Sequence, residues 1–244
     1  MNNHFLEDIR TGKVLMADGA TGTNLQLRGL PSGKSGEYWV LENPGEILRL
    51  EQRFLEAGSN LILTTTFGAT RKHLESAGLD GDAERINRTA VRLARQSAEP
   101  YRAYVAGSIG PTGQLMEPMG DYSVQEAEDE FYEQAKWLVE EGVDLLVVET
   151  QFDLEEAGAA VRGIRSFCSL PLVCSFSYDR GTRTMMGVSP KKMAAAMEEF
   201  DIDLLGINCG RSLEDNLTVL KILKEKTSKP IWFKPNAGLP EAQP

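Results

Sequence analysis

The residues best suited to chemistry in this sequence follow short apolar runs. The run LLGI is followed by Asn208 and Cys209, the run LLVV by Glu149, and the run KVLMA by Asp18. Short apolar runs of this kind are typical of buried strands. Because the carboxyl ends of parallel strands meet at one edge of a sheet, we expect the thiol, the amide and the two carboxylates to share one site.

Cys209 is open to three interpretations: a metal ligand, a nucleophile or an inert thiol. A nucleophilic thiolate needs a base, and the two histidines, His4 and His73, fall at the N-terminus and in a helical stretch. A zinc site needs about three protein ligands. Cys168 and Cys174 are expected in the core, near the end of a helix and within a strand.

The stretch ADGATGTN, residues 17–24, combines small residues with a carboxylate. Its backbone N–H groups can face an anion while Asp18 pairs with an ammonium group, which suits the head group of an amino acid. A glycine turn between a strand and a helix accounts for the same letters. The stretch lacks both the G-x-G-x-x-G pattern and a Walker lysine, so it does not predict a nucleotide site.

Two more charged residues fall at the ends of predicted strands. A carboxylate such as Glu149 costs free energy after an apolar strand unless a cation meets it, and either a substrate ammonium or a neighbouring Lys or Arg could do so. Lys234, in WFKPNAG, could form a Schiff base in a lyase. No acid–base partner for that lysine is evident in the sequence. Asn236 follows it in the chain and is expected to lie nearer to the mouth of the barrel.

Strands and amphipathic helices alternate along the chain, which predicts a parallel sheet covered by helices. The candidate site residues are spread over the ends of seven strands, which favours a (β/α)8 TIM barrel over a doubly wound sheet with one switch point. The predicted strands lie near 14–17, 61–65, 103–107, 145–149, 172–176, 204–207 and 231–234.

This barrel is one unit short. An eighth strand and its helix need roughly 25–30 residues, but only PNAGLPEAQP follows the seventh strand. We therefore expect residues 1–244 to form a single barrel domain that lacks its eighth βα unit. A longer parent chain, an open barrel or closure by another polypeptide would each explain the shortfall.

Composition limits the partners and the location of the protein. The net charge of −10 over 244 residues argues against nucleic acid and against an anionic membrane surface. No apolar stretch approaches the ~20 residues of a membrane span, and the N-terminus does not read as a secretion signal. Three widely spaced cysteines do not suggest a disulfide framework, so we expect a cytoplasmic protein.

Six segments occur in a characteristic order: MADGATGTNL, TTTFGAT, AGSIGPTG, VVET, GINCG and KPNAGLP. Together they resemble the homocysteine S-methyltransferase family, including the homocysteine-binding module of cobalamin-dependent methionine synthase. The resemblance covers essentially the whole chain. It implies zinc-dependent methyl transfer to the thiol of homocysteine, giving methionine. The methyl donor stays open between methylcobalamin on another domain or protein, S-methylmethionine and a betaine-like compound, so a corrinoid or folate module is an expected partner.

The resemblance also implies roles for individual residues. Cys209 matches one of three zinc-binding cysteines and would be the catalytic ligand, but the adjacent Cys-Cys pair that supplies the other two is absent from this sequence. Thr65 departs from the family, since many relatives have Asn there. A zinc-free amino-acid-binding module, or an inactive fragment, is the alternative. The residues expected to bind the substrate are Asp18, Gly19, Ala20, Thr21, Glu149, Asn208 and Asn236.

Overall fold

The computed structural model describes residues 4–238, in which helices and parallel strands alternate. The strands are β1 (Leu61–Leu63), β2 (Tyr104–Ile109), β3 (Leu145–Gln151), β4 (Leu172–Phe176), β5 (Leu204–Cys209) and β6 (Ile231–Pro235). The α-helices are α1 (Phe5–Arg10), α2 (Thr21–Leu27), α3 (Gly36–Glu42), α4 (Pro44–Glu56), α5 (Arg71–Glu75), α6 (Ala83–Ala98), α7 (Val124–Glu140), α8 (Leu154–Arg165), α9 (Pro190–Met197) and α10 (Leu213–Lys226). Short 3-10 turns cover Asp80–Asp82 and Glu99–Tyr101.

The six strands form one sheet in the order β1-β2-β3-β4-β5-β6, and every neighbouring pair is parallel. Each strand therefore lies beside the strand that precedes it in the chain, with helix α6, α7, α8, α9 or α10 in the connection. Repeated parallel connections of this kind place all the strand ends on the same side of the sheet. The α/β class and the parallel sheet predicted from the sequence are confirmed.

The sheet curls so that one of its faces packs on itself. Apolar side chains from all six strands belong to one buried cluster: Leu61, Leu63, Ala106, Leu145, Val147, Val173, Leu204 and Trp232. Phe5 of α1 joins this cluster, and its ring meets that of Tyr104 edge-on with the centroids 5.5 Å apart. Because Tyr104 begins β2, the first helix covers the N-terminal end of the curled sheet.

The opposite face of the sheet packs against the helices. Alternate strand residues such as Ile62, Leu146 and Leu205 share a core with the apolar sides of α7, α8 and α9. This core includes Cys168 and Cys174, so the prediction that both are packing residues is confirmed. Helix α7 begins with a complete capping box between Ser123 and Glu126, as the sequence pattern indicates.

The first predicted strand, 14–17, is not formed. Of this segment only Ala17 bridges to β1, pairing with Leu61, while Val14 and Met16 are 81% and 61% exposed. The backbone N–H groups of Asn60 and Leu61 both donate to the carbonyl of Met16, so the segment contacts β1 without building a ladder. The structure thus has a curled sheet of six strands within the described residues, and the Pro-rich 239–244 tail lies outside them.

No helix within residues 4–238 combines the length and apolar character required to span a bilayer.

Candidate active site

A cavity of ≈ 640 Å³ opens where the strands end. Its walls come from the segment before α2, from the residues that follow β1, and from the ends of β3, β5 and β6. Every residue that the sequence predicts for the site lines this cavity: Asp18, Gly19, Ala20, Thr21, Glu149, Asn208, Cys209 and Asn236. The structure therefore brings the predicted residues together, as expected for strand ends at one edge of a sheet.

Asp18 is fixed by the edge of β1. Its backbone N–H donates to the carbonyl of Leu61, and its Oδ2 accepts a hydrogen bond from the Leu63 N–H at 2.9 Å. Its Oδ1 lies 3.1 Å from Nζ of Lys234. Burial raises the pKa of Asp18, and the nearby lysine partly offsets that effect. Asp18 is thus a buried carboxylate in contact with a cation.

Glu149 lies on β3 on the same cavity wall. Its Oε1 accepts a hydrogen bond of 2.6 Å from the hydroxyl of Ser108 on β2. Burial raises the pKa of Glu149, while Lys234 and the Ser108 hydroxyl act in the opposite direction. A buried carboxylate on a cavity wall favours a cationic ligand, because a cation offsets the cost of desolvation.

Lys234 extends from β6 towards both carboxylates. Burial lowers its pKa, but Asp18 and Glu149 together outweigh burial, so the pKa of Lys234 is raised overall. A Schiff-base lysine must react as the neutral amine, and this arrangement instead favours the ammonium ion. The sequence gives one signal for this pairing, because a lysine that follows the apolar residues of a buried strand needs an anion.

Asn208 connects the ends of three strands. Its Oδ1 accepts hydrogen bonds from the Thr150 N–H at 2.8 Å and from the Ser175 hydroxyl at 2.6 Å. Its Nδ2 donates to Thr150 Oγ1 at 2.6 Å and lies 3.2 Å from Sγ of Cys209. All the polar atoms of this buried amide are therefore used to hold the neighbouring chain segments in place.

Cys209 ends β5 with its thiol in a polar environment. The residue is half-buried and lines the cavity, and Thr150 Oγ1 lies 3.7 Å from its Sγ. Burial raises the pKa of the Cys209 thiol, and hydrogen bonds from Thr150 and Asn208 partly oppose the rise. The thiol therefore belongs to the cavity and not to the aliphatic core.

Asn236 holds the backbone that follows Cys209. Its N–H donates to the Cys209 carbonyl at 3.0 Å, and its Nδ2 donates to the Gly210 carbonyl at 3.1 Å. Asn216 of α10 donates a second hydrogen bond to the Cys209 carbonyl at 2.9 Å. The turn that carries the thiol is thus fixed from β6 and from α10.

The described residues do not complete a metal site. Within residues 4–238 there is no group of three or more His, Cys, Asp or Glu side chains placed to hold a metal ion. Cys209 is the one cysteine of that range that lines the cavity, whereas zinc sites use about three or four protein ligands. A zinc ion at Cys209 would need donors from outside these residues.

Sequence reasoning missed Thr150. This residue follows Glu149 on β3, lines the cavity, and adopts a left-handed backbone with φ of 61°. A β-branched residue is not expected in that region, so the sequence carries no signal for the conformation. Thr150 contacts both Asn208 and Cys209, which makes it part of the site.

A curled parallel sheet with a charged cavity at the carboxyl ends of its strands is the arrangement of a barrel-type α/β enzyme. This chain belongs to the homocysteine S-methyltransferase family, whose model matches residues 15–244. The resemblance identified from the sequence motifs is confirmed.

Individual relatives agree with the family. The chain is 30% identical over 251 residues to the homocysteine S-methyltransferase YbgG of Bacillus subtilis, covering 93% of this chain and 79% of that protein. It is 27% identical over 246 residues to a methionine synthase of Mycobacterium leprae, covering 93% of this chain but 20% of that protein. This chain thus spans about a fifth of the length of the mycobacterial methionine synthases that it matches.

The fold also matches a solved structure. The homocysteine methyltransferase MmuM of Escherichia coli, in its metallated form, superposes with a TM-score of 0.84 and 24% sequence identity. The match covers 97% of this chain and 88% of that one. The architecture described above is therefore that of a known methyltransferase structure.

Proposed function

We propose that this protein transfers a methyl group to the thiol of homocysteine and so forms methionine. One observation carries the proposal: a single cavity in a member of this family is lined by the Glu149 carboxylate and by the Cys209 thiol. An amino thiol has an ammonium group to pair with a carboxylate and a sulfur atom to be activated. The Bacillus and Mycobacterium relatives, named as a homocysteine S-methyltransferase and a methionine synthase, support the same reaction.

In this proposal the residues of the cavity divide into two groups. Asp18, Gly19, Ala20, Thr21 and Glu149 form the pocket for the amino-acid head group. The backbone N–H groups of that small-residue segment suit the carboxylate, and Glu149 provides a negative charge for the ammonium. The head group is thereby oriented, which brings the substrate sulfur and the methyl donor together in a productive geometry.

A second group of residues surrounds the thiol. Asn208 and Asn236 orient Cys209, and we propose that Cys209 is one ligand of a zinc ion whose other ligands lie outside residues 4–238. A bound zinc ion would make the substrate thiol available as a thiolate at neutral pH. The described residues then need only to bind homocysteine, orient it and exclude water.

The domain organisation, the source of the methyl group and the location of the protein are part of the same proposal. We propose that residues 1–244 are one barrel domain, in which the six strands of the described sheet belong to an eight-unit barrel. The methyl donor would reach the cavity from solution or on a corrinoid or folate module, with methylcobalamin as one candidate. A cytoplasmic location agrees with three free thiols.

The test is methionine formation by the full-length protein. Purified protein would be incubated with L-homocysteine and, in parallel, with methylcobalamin, S-methylmethionine and glycine betaine, and its zinc content would be measured. We expect methionine with at least one donor, about one zinc per chain, and loss of activity in Cys209→Ser. A protein that binds homocysteine without zinc and forms no methionine with any donor would support the second candidate, a zinc-free amino-acid-binding module.

That second candidate rests on one observation. Cys209 has no metal-binding companion within the described chain, yet the carboxylates of the cavity do not depend on a metal. A protein with this site could bind an amino acid through its charged head group alone.

A further inference from the structure

The cavity contains an internal cation that is already paired. Lys234 Nζ lies 3.1 Å from Asp18 Oδ1, and the exposed fractions of the two side chains are 24% and 2%. The other carboxylate oxygen of Asp18 accepts the Leu63 N–H. Before any ligand arrives, one oxygen of Asp18 is therefore hydrogen-bonded to the backbone and the other is in ionic contact with Lys234.

Glu149 differs from Asp18 in that no cation contacts its carboxylate directly within residues 4–238. Its Oε1 accepts the Ser108 hydroxyl, but within residues 4–238 no Lys, Arg or His nitrogen lies within 4 Å of its carboxylate. The cluster of Asp18, Glu149 and Lys234 thus carries two carboxylates and one cation, which leaves one negative charge of the cluster without a direct partner. Buried charges of this kind are expected to be paired, so the cavity wall is suited to one additional cation.

Two more charged residues line the cavity away from Asp18, Glu149 and Lys234. Lys34 is exposed at the mouth, where its Nζ lies 4.8 Å from the centroid of the Tyr38 ring. Glu37 of α3 directs its Oε1 to the Gly68 N–H at 2.7 Å. Neither residue forms an ion pair with Asp18, Glu149 or Lys234 in the described part of the chain.

Building on the proposed function, we infer that Lys234 is a specificity-determining residue. It neutralises Asp18 and so reserves Glu149 as the carboxylate that receives the α-ammonium group of the amino acid. Asp18 then acts on the substrate through Lys234, as a positioning residue, and the cavity selects ligands that carry a single ammonium group. A direct ammonium contact from Asp18 would instead require Lys234 to move away.

A double-mutant cycle separates these two arrangements. Asp18→Asn keeps the oxygen that accepts from Leu63 but removes the charge that holds Lys234. The freed ammonium of Lys234 then turns to Glu149 and blocks it, so an ammonium-bearing ligand binds less tightly. Adding Lys234→Met removes the blocking cation, and binding recovers even though Asp18 is still absent.

The experiment is calorimetric titration of the full-length protein with L-homocysteine and with 4-mercaptobutanoate, which has the same thiol and carboxylate but no ammonium group. We expect Asp18→Asn to weaken homocysteine binding by about tenfold or more, and Asp18→Asn/Lys234→Met to regain most of that loss. The same Asp18→Asn change should not weaken binding of 4-mercaptobutanoate. Glu149→Gln should lose homocysteine affinity with no rescue by Lys234→Met.

The outcomes are distinct. If Lys234→Met fails to rescue Asp18→Asn, Asp18 itself receives the ammonium and the inference is overturned, whereas the proposed function survives. If the wild-type protein binds no homocysteine, the proposed function fails and the inference fails with it. Circular dichroism and thermal melting check that each variant folds, and Lys234→Gln replaces Lys234→Met if the methionine variant does not.

Discussion

Thr150 and Cys209 lie at the ends of β3 and β5, and both adopt a left-handed backbone, with φ of 61° and 53°. Their side chains meet, since Thr150 Oγ1 lies 3.7 Å from Cys209 Sγ. A non-glycine residue pays roughly 1–2 kcal/mol for this conformation, which persists only where the surroundings enforce it. Asn208 hydrogen-bonds to both residues and provides that enforcement.

The first prediction concerns Asn208. Replacing it with Leu keeps a similar branched shape but removes every side-chain hydrogen bond to Thr150, Ser175 and Cys209. Because buried donors and acceptors are left without partners, we expect the free energy of unfolding to fall by about 2–4 kcal/mol. Urea unfolding measures the loss. Ser175→Ala, which removes a single bond to the same amide, should cost about 1 kcal/mol, and equal losses in the two variants would contradict the central role of Asn208.

The second prediction concerns the turn after the thiol. Gly210 has φ of 76°, and a Cβ there would lie 2.7 Å from the side-chain amide of Asn216. Gly210→Ala should therefore lower the free energy of unfolding by about 1–3 kcal/mol, through backbone strain and crowding together. Gly81→Ala is the control, since a Cβ at Gly81 meets nothing within 4 Å. A loss no larger than that of the control would show that the turn can relax.

The third prediction is a pH dependence of stability. Burial raises the pKa of Glu51, on α4, to about 8, against 4.5 for the free side chain, although the Ser97 hydroxyl opposes the rise. The folded state therefore keeps Glu51 protonated over a range in which the unfolded chain ionises it. The stability from this group is fully present below pH 4.5 and is lost as the pH rises to about 8.

Glu51→Gln removes this loss. Between pH 5 and 7.5 the variant should gain stability over the wild type by about 1 kcal/mol for each pH unit, measured as the difference between their free energies of unfolding. Glu46→Gln, on the same helix, is the control, because a hydrogen bond from Arg49 lowers the pKa of Glu46 and places its titration below this window. The prediction would be refuted if the free energies of unfolding of Glu51→Gln and of the wild type differed by the same amount at every pH.

The fourth prediction concerns the thiol itself. Cys209→Ser should abolish methyl transfer but change the free energy of unfolding by less than about 1 kcal/mol, because Cys209 lines the cavity and is not part of the core. Cys168→Ser, in the core, should retain methyl transfer in whatever fraction of the protein folds. Zinc content and activity would be measured on both variants. A strongly destabilised Cys209→Ser protein would mean that this thiol serves packing.

The sequence predicts most of the fold because periodicity marks elements that pack on a core. The pattern predicts a strand over 172–176, and β4 occupies the same residues. It also predicts helices over 82–98, 123–142, 154–167 and 212–227, and α6, α7, α8 and α10 match these ranges to within two residues at either end. By contrast, α2 buries only Leu25, and a helix with one buried apolar residue has no detectable periodicity.

The sequence predicts which residues belong to the site but not the contacts that they make with one another. Apolar runs ending in Asp18, Glu149 and Cys209 indicate which residues meet at the strand ends. The ion pair of Lys234 with Asp18 depends on the curl of the whole sheet, and local pattern does not encode that. The left-handed backbone of Thr150 is held by hydrogen bonds with Asn208, which is distant in sequence.

The contact between Asp18 and Lys234 also bears on how the protein folds. It joins groups separated by most of the sequence, and contacts of such high sequence separation form late because closing a long loop costs entropy. During synthesis, Asp18 emerges long before its cation. Transient release of β6 would likewise open the cavity while the inner strands keep their amide protection. Amide hydrogen exchange should therefore be faster in β6 than in β3. Ligand binding should slow the exchange in β6 selectively.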